Sequence, residues 1–480
     1  MRGVNCIELD REVYVVNQVI RFAWQALAHH FGQDDLTDLS SSRRRFAPHL
    51  LPDLQCVIEE QLAPLSPRLL GVHQHHEFYA PKLSDLVISE GQHVVALTPL
   101  QYQDIDVGRD ETFSSLHSGL WLARIEGRPL AILLSQFMEP RGGRVVQVEI
   151  GYLPGDHASA FARAFLQKIQ SAGEASRFYR GKILSFEPSA GYDGMHSTMK
   201  VHDLPAVSRE DVILSDATMR RLDAHVFEFD SHREGLRRLG QSMRKGILLY
   251  GPPGTGKTHV IRYISANLEG RSTILATAEQ MPSIGQYIAL ARTLQPSIVV
   301  LEDVDLVARA REEINSQKTE SLLNRLLNEM DGLTPDADIL FILTTNRPED
   351  IEEALASRPG RVDEAIEIPL PDEECRRRLI ALYGKALSFA DGAVDEAVQC
   401  SDGGSAAYVK EMVRRLAQRA LSRDGGNRVT LDDVRATSAT SQFCPVASIG
   451  GLSDWATNVP AGQSTGTPTA AARRDSFSCQ

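Results

Sequence analysis

Between residues 246 and 368, short apolar runs alternate with stretches long enough for a helix. The runs are Gly246 to Tyr250, Thr273 to Thr277, Ser297 to Leu301, Asp338 to Thr344 and Glu364 to Ile368. This alternation predicts an α/β domain, a parallel sheet with helices on both faces. Downstream of Pro369-Leu370-Pro371 the period is helical, over Asp372 to Ala386, Gly392 to Val398, Ser405 to Ser422 and Thr430 to Thr437, which predicts a small helical domain. Upstream, Val13, Val16, Ile20, Trp24, Leu27 and Phe31 recur three or four apart, the stripe of an amphipathic helix over Leu9 to Phe31. From Val94 to about Leu204 the period moves towards two. A hairpin is expected over Leu120 to Gln136, strands at Val145 to Leu153 and Lys182 to Phe186, and a helix over Ala158 to Gln170.

These patterns divide the chain into four parts. Residues 1–205 form a mixed α+β recognition or adaptor region, helical to about 93 and then β-rich. Residues 206–371 form the sheet domain, 372–440 the helical one, and the Ser, Thr, Gly and Pro-rich stretch 441–480 a disordered tail. A length of 480 residues supports several domains, and 42% hydrophobic with 24% charged residues is a soluble globular composition. The formal charge of -12 argues against nucleic acid or anionic membrane as a general partner. The six scattered cysteines include no C-x-x-C pair, so neither a disulfide framework nor a zinc site is expected. With no apolar run of about 18 residues and no signal-peptide layout, the cytoplasm is the expected compartment and a membrane segment is not. The basic cluster Arg43-Arg44-Arg45 reads as a solvated loop, and His73, His75 and His76 as loop residues rather than ligands. The first 205 residues contain no catalytic constellation, which leaves recognition as their work.

The chemistry gathers at Gly251-Pro252-Pro253-Gly254-Thr255-Gly256-Lys257-Thr258, followed by His259, between the first apolar run and a helix. A strand, a glycine-rich turn and a helix N-terminus point backbone N–H groups at a polyphosphate. In that arrangement Lys257 reaches the β- and γ-phosphates and the Thr258 hydroxyl binds Mg²⁺. The run ending Glu302-Asp303 puts one carboxylate where it orients the Mg²⁺ shell and the next where it polarises a water; the same acids would also suit a helix cap. Asn346 follows the fourth run, placed for the water or the γ-phosphate, or for an Asx turn before Pro348. Arg358 and Arg361 flank a Pro-Gly turn, placed either for solvation or to reach the γ-phosphate of a neighbouring subunit.

Residues from about Ser208 to Thr437 resemble the AAA family of ATPases. The motifs, in family order, are GPPGTGKT, LEDVD at 301–305, NEMDGL at 328–333, TTNRPE at 344–349 and RPGRVD at 358–363. The resemblance implies a P-loop NTPase sheet with a C-terminal helical lid. It also implies a homo-oligomeric ring, usually hexameric, with ATP and Mg²⁺ at subunit interfaces and a macromolecular substrate. It assigns Asn346 to the family's first sensor, Arg358 and Arg361 to the arginine pair donated in trans, and Asp331-Gly332 to a segment that signals between subunits. Gly404-Ser405-Ala406-Ala407 stands where many members have Ser-Gly-Ala-Asp, and no second-sensor arginine is evident. Most members end the acidic strand Asp-Glu. The inverted Glu302-Asp303 looks like the mitochondrial AAA translocase of the Rieske protein, with Glu302 on Mg²⁺ and Asp303 on the water. Where threading members carry an aromatic in the first pore loop, this chain has Ser283-Ile284-Gly285, with Tyr287 as the substitute if the loop is shifted. The expected function is an ATP-hydrolysing ring that remodels or moves a protein client. The alternative is an ATP-dependent assembly switch or scaffold, and a nucleic-acid motor stands third.

Overall fold

The computed structural model describes residues 20–439, apart from 34, 75, 77, 80, 92, 109–110, 140–142, 189–196, 204, 278–279, 281–283, 306–325, 327, 335 and 350–361. It divides into two compact units, Met1–Leu370 and Pro371–Gln480. Within the first unit lie two sheets.

The strands β1 (Ser40–Phe46), β2 (Arg68–Val72), β3 (Leu97–Thr98), β6 (Ser118–Ile125), β7 (Arg128–Glu139) and β8 (Gly143–Tyr152) form an antiparallel sheet in the order β1-β8-β7-β6-β2-β3. Alternate residues of β6 and β7 face opposite cores. Trp121, Ile132 and Leu134 pack under the helices Leu51–Leu62 and Asp156–Ala175. Leu120, Leu122, Ala131 and Leu133 pack under the helix Ala23–Phe31. The strands β4 (Tyr102–Gly108) and β5 (Glu111–Leu116) pair as a separate hairpin.

The second sheet contains β9 (Ile183–Pro188), β10 (Ser197–His202), β11 (Lys245–Tyr250), β12 (Ser272–Thr277), β13 (Ser297–Glu302), β14 (Ile339–Thr345) and β15 (Glu364–Glu367). Its order is β10-β9-β12-β13-β14-β11-β15, parallel except for the β9–β10 hairpin. Leu248, Val299, Leu301, Phe341 and Leu343 face the helix Ile284–Thr293, while Ile247, Leu249, Val300 and Ile342 face the helix Lys257–Asn267. All five apolar runs are therefore strands of one sheet; the four inner ones, β11 to β14, are buried on both faces, which is why they lack strict alternation, while β15 at the sheet edge buries only Ile366.

Four differences from the sequence reading have physical causes. The helix near the start begins at Ala23 because Phe22 makes a β-bridge with Ala96; residues 9–19 of the expected Leu9 to Phe31 helix lie outside the described residues. The stretch read as helical to about 93 contains β1 and β2. The arginine cluster stands on β1 rather than in a loop, with Arg43 opposite Glu149. Arg44 donates to the Leu166 carbonyl and the Gln170 side chain, and Arg45 pairs with Glu139 at 2.7 Å, so two of the three guanidinium groups are used within the fold. Finally, Ile183–Pro188 and Ser197–His202, placed by the sequence with the N-terminal region, are strands of the parallel sheet.

That hairpin welds the two halves of the unit together. Val107, Tyr179 and Leu184 share one core with Ile274, Tyr287 and Leu301. Arg180 donates to the Glu174, Thr293 and Gln295 carbonyls, so a single cation meets the C-terminal ends of two helices, where their dipoles favour positive charge.

The second unit contains the helices Glu373–Tyr383, Ala393–Cys400, Ala406–Asp424 and Leu431–Ala439, with a short parallel pair, β16 (Ser388–Phe389) and β17 (Arg428–Val429). Its helix starts follow the sequence closely, because side-chain caps mark them. The Asp372 carboxylate accepts the Cys375 N–H at 2.8 Å and the Ser405 hydroxyl accepts the Tyr408 N–H at 3.3 Å. The expected tail at 441–480 lies outside the described residues.

Candidate active site

In the order β13-β14-β11, the carboxyl ends of three adjacent strands deliver Glu302, Thr345 and Tyr250 to one edge of the sheet. The chain leaves β11 at this edge and returns to the sheet at β12, on the far side of β14 and β13. A crevice opens at such a change of strand order, where open α/β sheets place their ligands.

The glycine-rich turn follows β11. Gly251 has φ 147°, and a Cβ there would lie 2.2 Å from the Ile368 carbonyl oxygen, so no side chain fits. Gly256 caps the helix Lys257–Asn267 with φ 108°, a region that L side chains rarely adopt. The first turn of that helix holds no acidic residue, leaving its positive end for an external anion. The Thr255 hydroxyl donates to the Pro252 carbonyl at 3.0 Å and braces the turn from within. Pro253, Gly254 and Thr258 are exposed beside it.

Lys257 is buried, and its Nζ donates to the Gly251 and Pro252 carbonyls at 2.7 and 3.0 Å. Burial pushes its pKa down, opposed by the carboxylates of Asp303 and Asp305. An ammonium resting on two neutral carbonyls is poised to exchange them for a stronger acceptor such as phosphate. His259 does not turn its ring to this crevice: its Nε2 donates to the Asp211 carbonyl at 3.1 Å, tying the helix to the preceding loop.

Across the crevice, Glu302 keeps Oε1 buried and without a hydrogen-bond partner. A buried carboxylate oxygen with nothing to accept calls for a cation or an ordered water. With the Thr258 hydroxyl as a further oxygen donor, the set suits a hard divalent ion such as Mg²⁺.

Asp303 has φ 52°, one of four non-glycine residues in the left-handed region among those described. Such a backbone costs on the order of 1–3 kcal/mol and persists where its surroundings hold it. Here the Asp303 N–H donates to the Thr344 hydroxyl at 3.0 Å, and Oδ1 accepts from Asn346 Nδ2 at 3.2 Å. Aspartate tolerates this region better than longer residues do, which gives a physical reason for the inverted Glu-Asp order.

Lys257, Glu302, Asp303 and Asn346 thus gather at one edge of the sheet. Arg358 and Arg361 lie outside the described residues. The sequence reading gave no role to Thr344, Thr345 or Asp305, although Asp305 stood in the quoted acidic run. Its Oδ1 accepts from the Thr345 hydroxyl at 3.0 Å and the Asn346 N–H at 3.1 Å.

Tyr287 is the correction at this site. It is 1% exposed, its ring stacked edge-on against Phe186 at 4.9 Å, and burial raises its phenol to about 12. Ile284, from the aligned pore triplet, is also fully buried, while Ser283 lies outside the described residues. Tyr287 is therefore a core residue and supplies no gripping aromatic. Tyr287→Ala is expected to cost about 3–5 kcal/mol of stability, read from denaturant unfolding of the full chain.

A parallel sheet with a glycine-rich turn at a helix N-terminus, and acids on a neighbouring strand, defines a P-loop nucleotide-binding domain. The sequence profile of the ATPase family associated with various cellular activities (AAA) matches residues 247–370. The chain is 32% identical over 247 residues to the proteasome-activating nucleotidase of Methanopyrus kandleri, covering 49% of this chain and 56% of that protein. It is also 32% identical over 229 residues to a cell division cycle protein 48 homologue of Archaeoglobus fulgidus, covering 46% of this chain and 31% of that one. With a 26S proteasome regulatory subunit 4 homologue of Oryza sativa subsp. japonica it shares 30% identity over 294 residues, 58% of this chain and 65% of that protein. The matched region spans from about a third to just under two thirds of these relatives. This chain carries an AAA ATPase domain.

Proposed function

We propose that the protein hydrolyses ATP in a homo-oligomeric ring, a hexamer, and uses the cycle to remodel or move a protein client. The observation that carries this reading is the meeting of Lys257, Glu302, Asp303 and Asn346 at one sheet edge. ATP would lie with its phosphates on the turn Gly251 to Thr258, the helix N–H groups and Lys257 holding the β- and γ-oxygens. Thr258 and Glu302 would hold Mg²⁺, which supplies positive charge against the charge developing on the phosphoryl oxygens. Asp303 takes the proton of the attacking water, and Asn346 orients it. Arg358 and Arg361 of one subunit reach the phosphate of the next.

Residues before 206 choose the client. Because β9 and β10 extend the ATPase sheet, that region rides on the sheet instead of hanging from a flexible linker. Three described cysteines, Cys56, Cys375 and Cys400, are free thiols. No helix of the described residues is long and apolar enough to cross a membrane. The cytoplasm suits both features.

Burial of Tyr287 favours a second reading, an assembly switch that hydrolyses slowly and threads nothing. Release of phosphate by the full chain with magnesium, alone and with a permanently unfolded polypeptide such as carboxymethylated lactalbumin, separates the two. A remodelling machine cycles continuously and is stimulated; a switch turns over about once per assembly event. Absence of both bound nucleotide and phosphate release defeats either reading. Single-stranded DNA is expected to leave the rate unchanged across a salt series.

A further inference from the structure

We propose that Asp305 is a positioning residue of the hydrolytic site, holding the Thr345-Asn346 turn so that the Asn346 side chain meets Asp303. The inference rests on the ATPase reading and adds to it a residue with no assigned role.

Asp305 is 3% exposed, in the segment that follows β13. A carboxylate is costly to bury, and two charge-assisted bonds to one oxygen repay part of that cost. Both bonds go to consecutive residues at the end of β14: the Thr345 hydroxyl at 3.0 Å and the Asn346 backbone N–H at 3.1 Å. The same Thr345 hydroxyl accepts the Arg347 N–H at 2.9 Å, closing the turn. One oxygen atom therefore sets the direction in which the chain leaves the sheet, and with it where the Asn346 side chain can go.

That side chain meets Asp303 at 3.2 Å, two residues before Asp305 in sequence. From the other side the Thr344 hydroxyl fixes the Asp303 N–H. The result is a closed lattice. Asp303 is held to Thr344 and Asn346, Asn346 and Thr345 are held to Asp305, and a single residue, Val304, links the two acids along the chain. The lattice is what keeps Asp303 in its left-handed backbone, since nothing in its own covalent structure prefers it strongly. Removing Asp305 frees the turn, lets Asn346 swing, and releases Asp303 to relax away from its position. The bonds of Asp305 go to Thr345 and Asn346, so it acts through Asn346.

The test uses the purified full chain and steady-state ATP turnover. Loss of registration of about 1 Å at a reacting centre costs about a hundredfold, so Asp305→Ala is expected to lower kcat by about that factor with KM for ATP little changed. Asp305→Asn retains an amide oxygen able to accept both bonds and is expected to recover most of the lost rate. Asn346→Ala added to Asp305→Ala is expected to cost little more, because the two act as one unit. If Asp305→Ala proves too unstable to purify, Thr345→Val removes only the hydroxyl and is expected to lower kcat in the same direction with KM unchanged. Equal loss in the Ala and Asn variants, additive loss with Asn346→Ala, or a normal rate in Thr345→Val overturns the proposal while leaving the ATPase reading intact. A wild-type chain that releases no phosphate overturns both.

Discussion

Asp303→Asn is expected to bind ATP as the wild type does and to turn it over about 10²- to 10⁴-fold more slowly, the range lost when a positioned general base is removed. The exchange is close to isosteric. Asparagine tolerates the left-handed backbone at φ 52° as aspartate does, and its side-chain oxygen still accepts from Asn346 Nδ2. The phosphate-holding turn lies on another strand and is untouched. What disappears is the ability to take a proton. Binding of a fluorescent ATP analogue and phosphate release, measured on the same preparation, check the two halves of the expectation. A variant that turns over at the wild-type rate would remove Asp303 from the role of base. Asp303→Glu is the informative companion. It restores the length common at this position elsewhere in the family, yet forces a residue less suited to the left-handed region into the strained backbone. It is therefore expected to be slower than wild type despite being the more usual base.

How far this site could be read from the sequence depends on the range of the interaction. The five apolar runs of the parallel sheet and the turn at Gly251 are local signals, and they stand where expected. That β9 and β10 belong to that sheet is not a local signal. Lys182 to Phe186 reads as a strand, but that β9 pairs with β12 through Thr273 opposite Ile183 is a contact about ninety residues away. The β1 segment Ser40–Phe46 has no apolar alternation because one face is covered by polar partners such as Glu149, and a polar edge strand looks like a loop. Asp305 was visible as a residue and invisible as a role. Its partners Thr345 and Asn346 are forty residues later, and only the adjacency of β13 and β14 brings them within bonding distance. Tyr287 was ambiguous because a tyrosine at the start of a helix suits a loop tip and a core equally. Contact with Phe186 on β9, a strand expected from the sequence but not as part of this sheet, decides for the core.

The fused hairpin also changes what the N-terminal region can do. A domain on a flexible linker delivers a client and is otherwise indifferent to the nucleotide. Here the helix Asp156–Ala175, the hairpin and the helix Ile284–Thr293 are held together by Arg180 and by the core around Tyr179 and Tyr287. A shift at the end of β12 would then be felt by the recognition region through packed side chains, which are stiff.

Lys257→Ala is expected to abolish the cycle at its first step. The side chain is buried, so its charge is worth more than at a surface, and truncating one member of a buried charged pair costs about 2–5 kcal/mol. Affinity for ATP is expected to fall by about two to three orders of magnitude, and turnover with it. The loss should appear in binding, unlike that of Asp303→Asn. The variant should fold, because the two bonds that Lys257 makes without phosphate go to the Gly251 and Pro252 carbonyls of the turn itself and tie no other element to it. The turn keeps its own brace at Thr255 and the Ile368 N–H to Tyr250 carbonyl bond at 2.7 Å. Isothermal titration with ATP and magnesium, paired with a thermal unfolding midpoint close to that of the wild type, separates lost recognition from lost structure. Unchanged ATP affinity in Lys257→Ala would mean that the phosphates lie elsewhere, and the roles of Glu302 and Asp303 would fall with them.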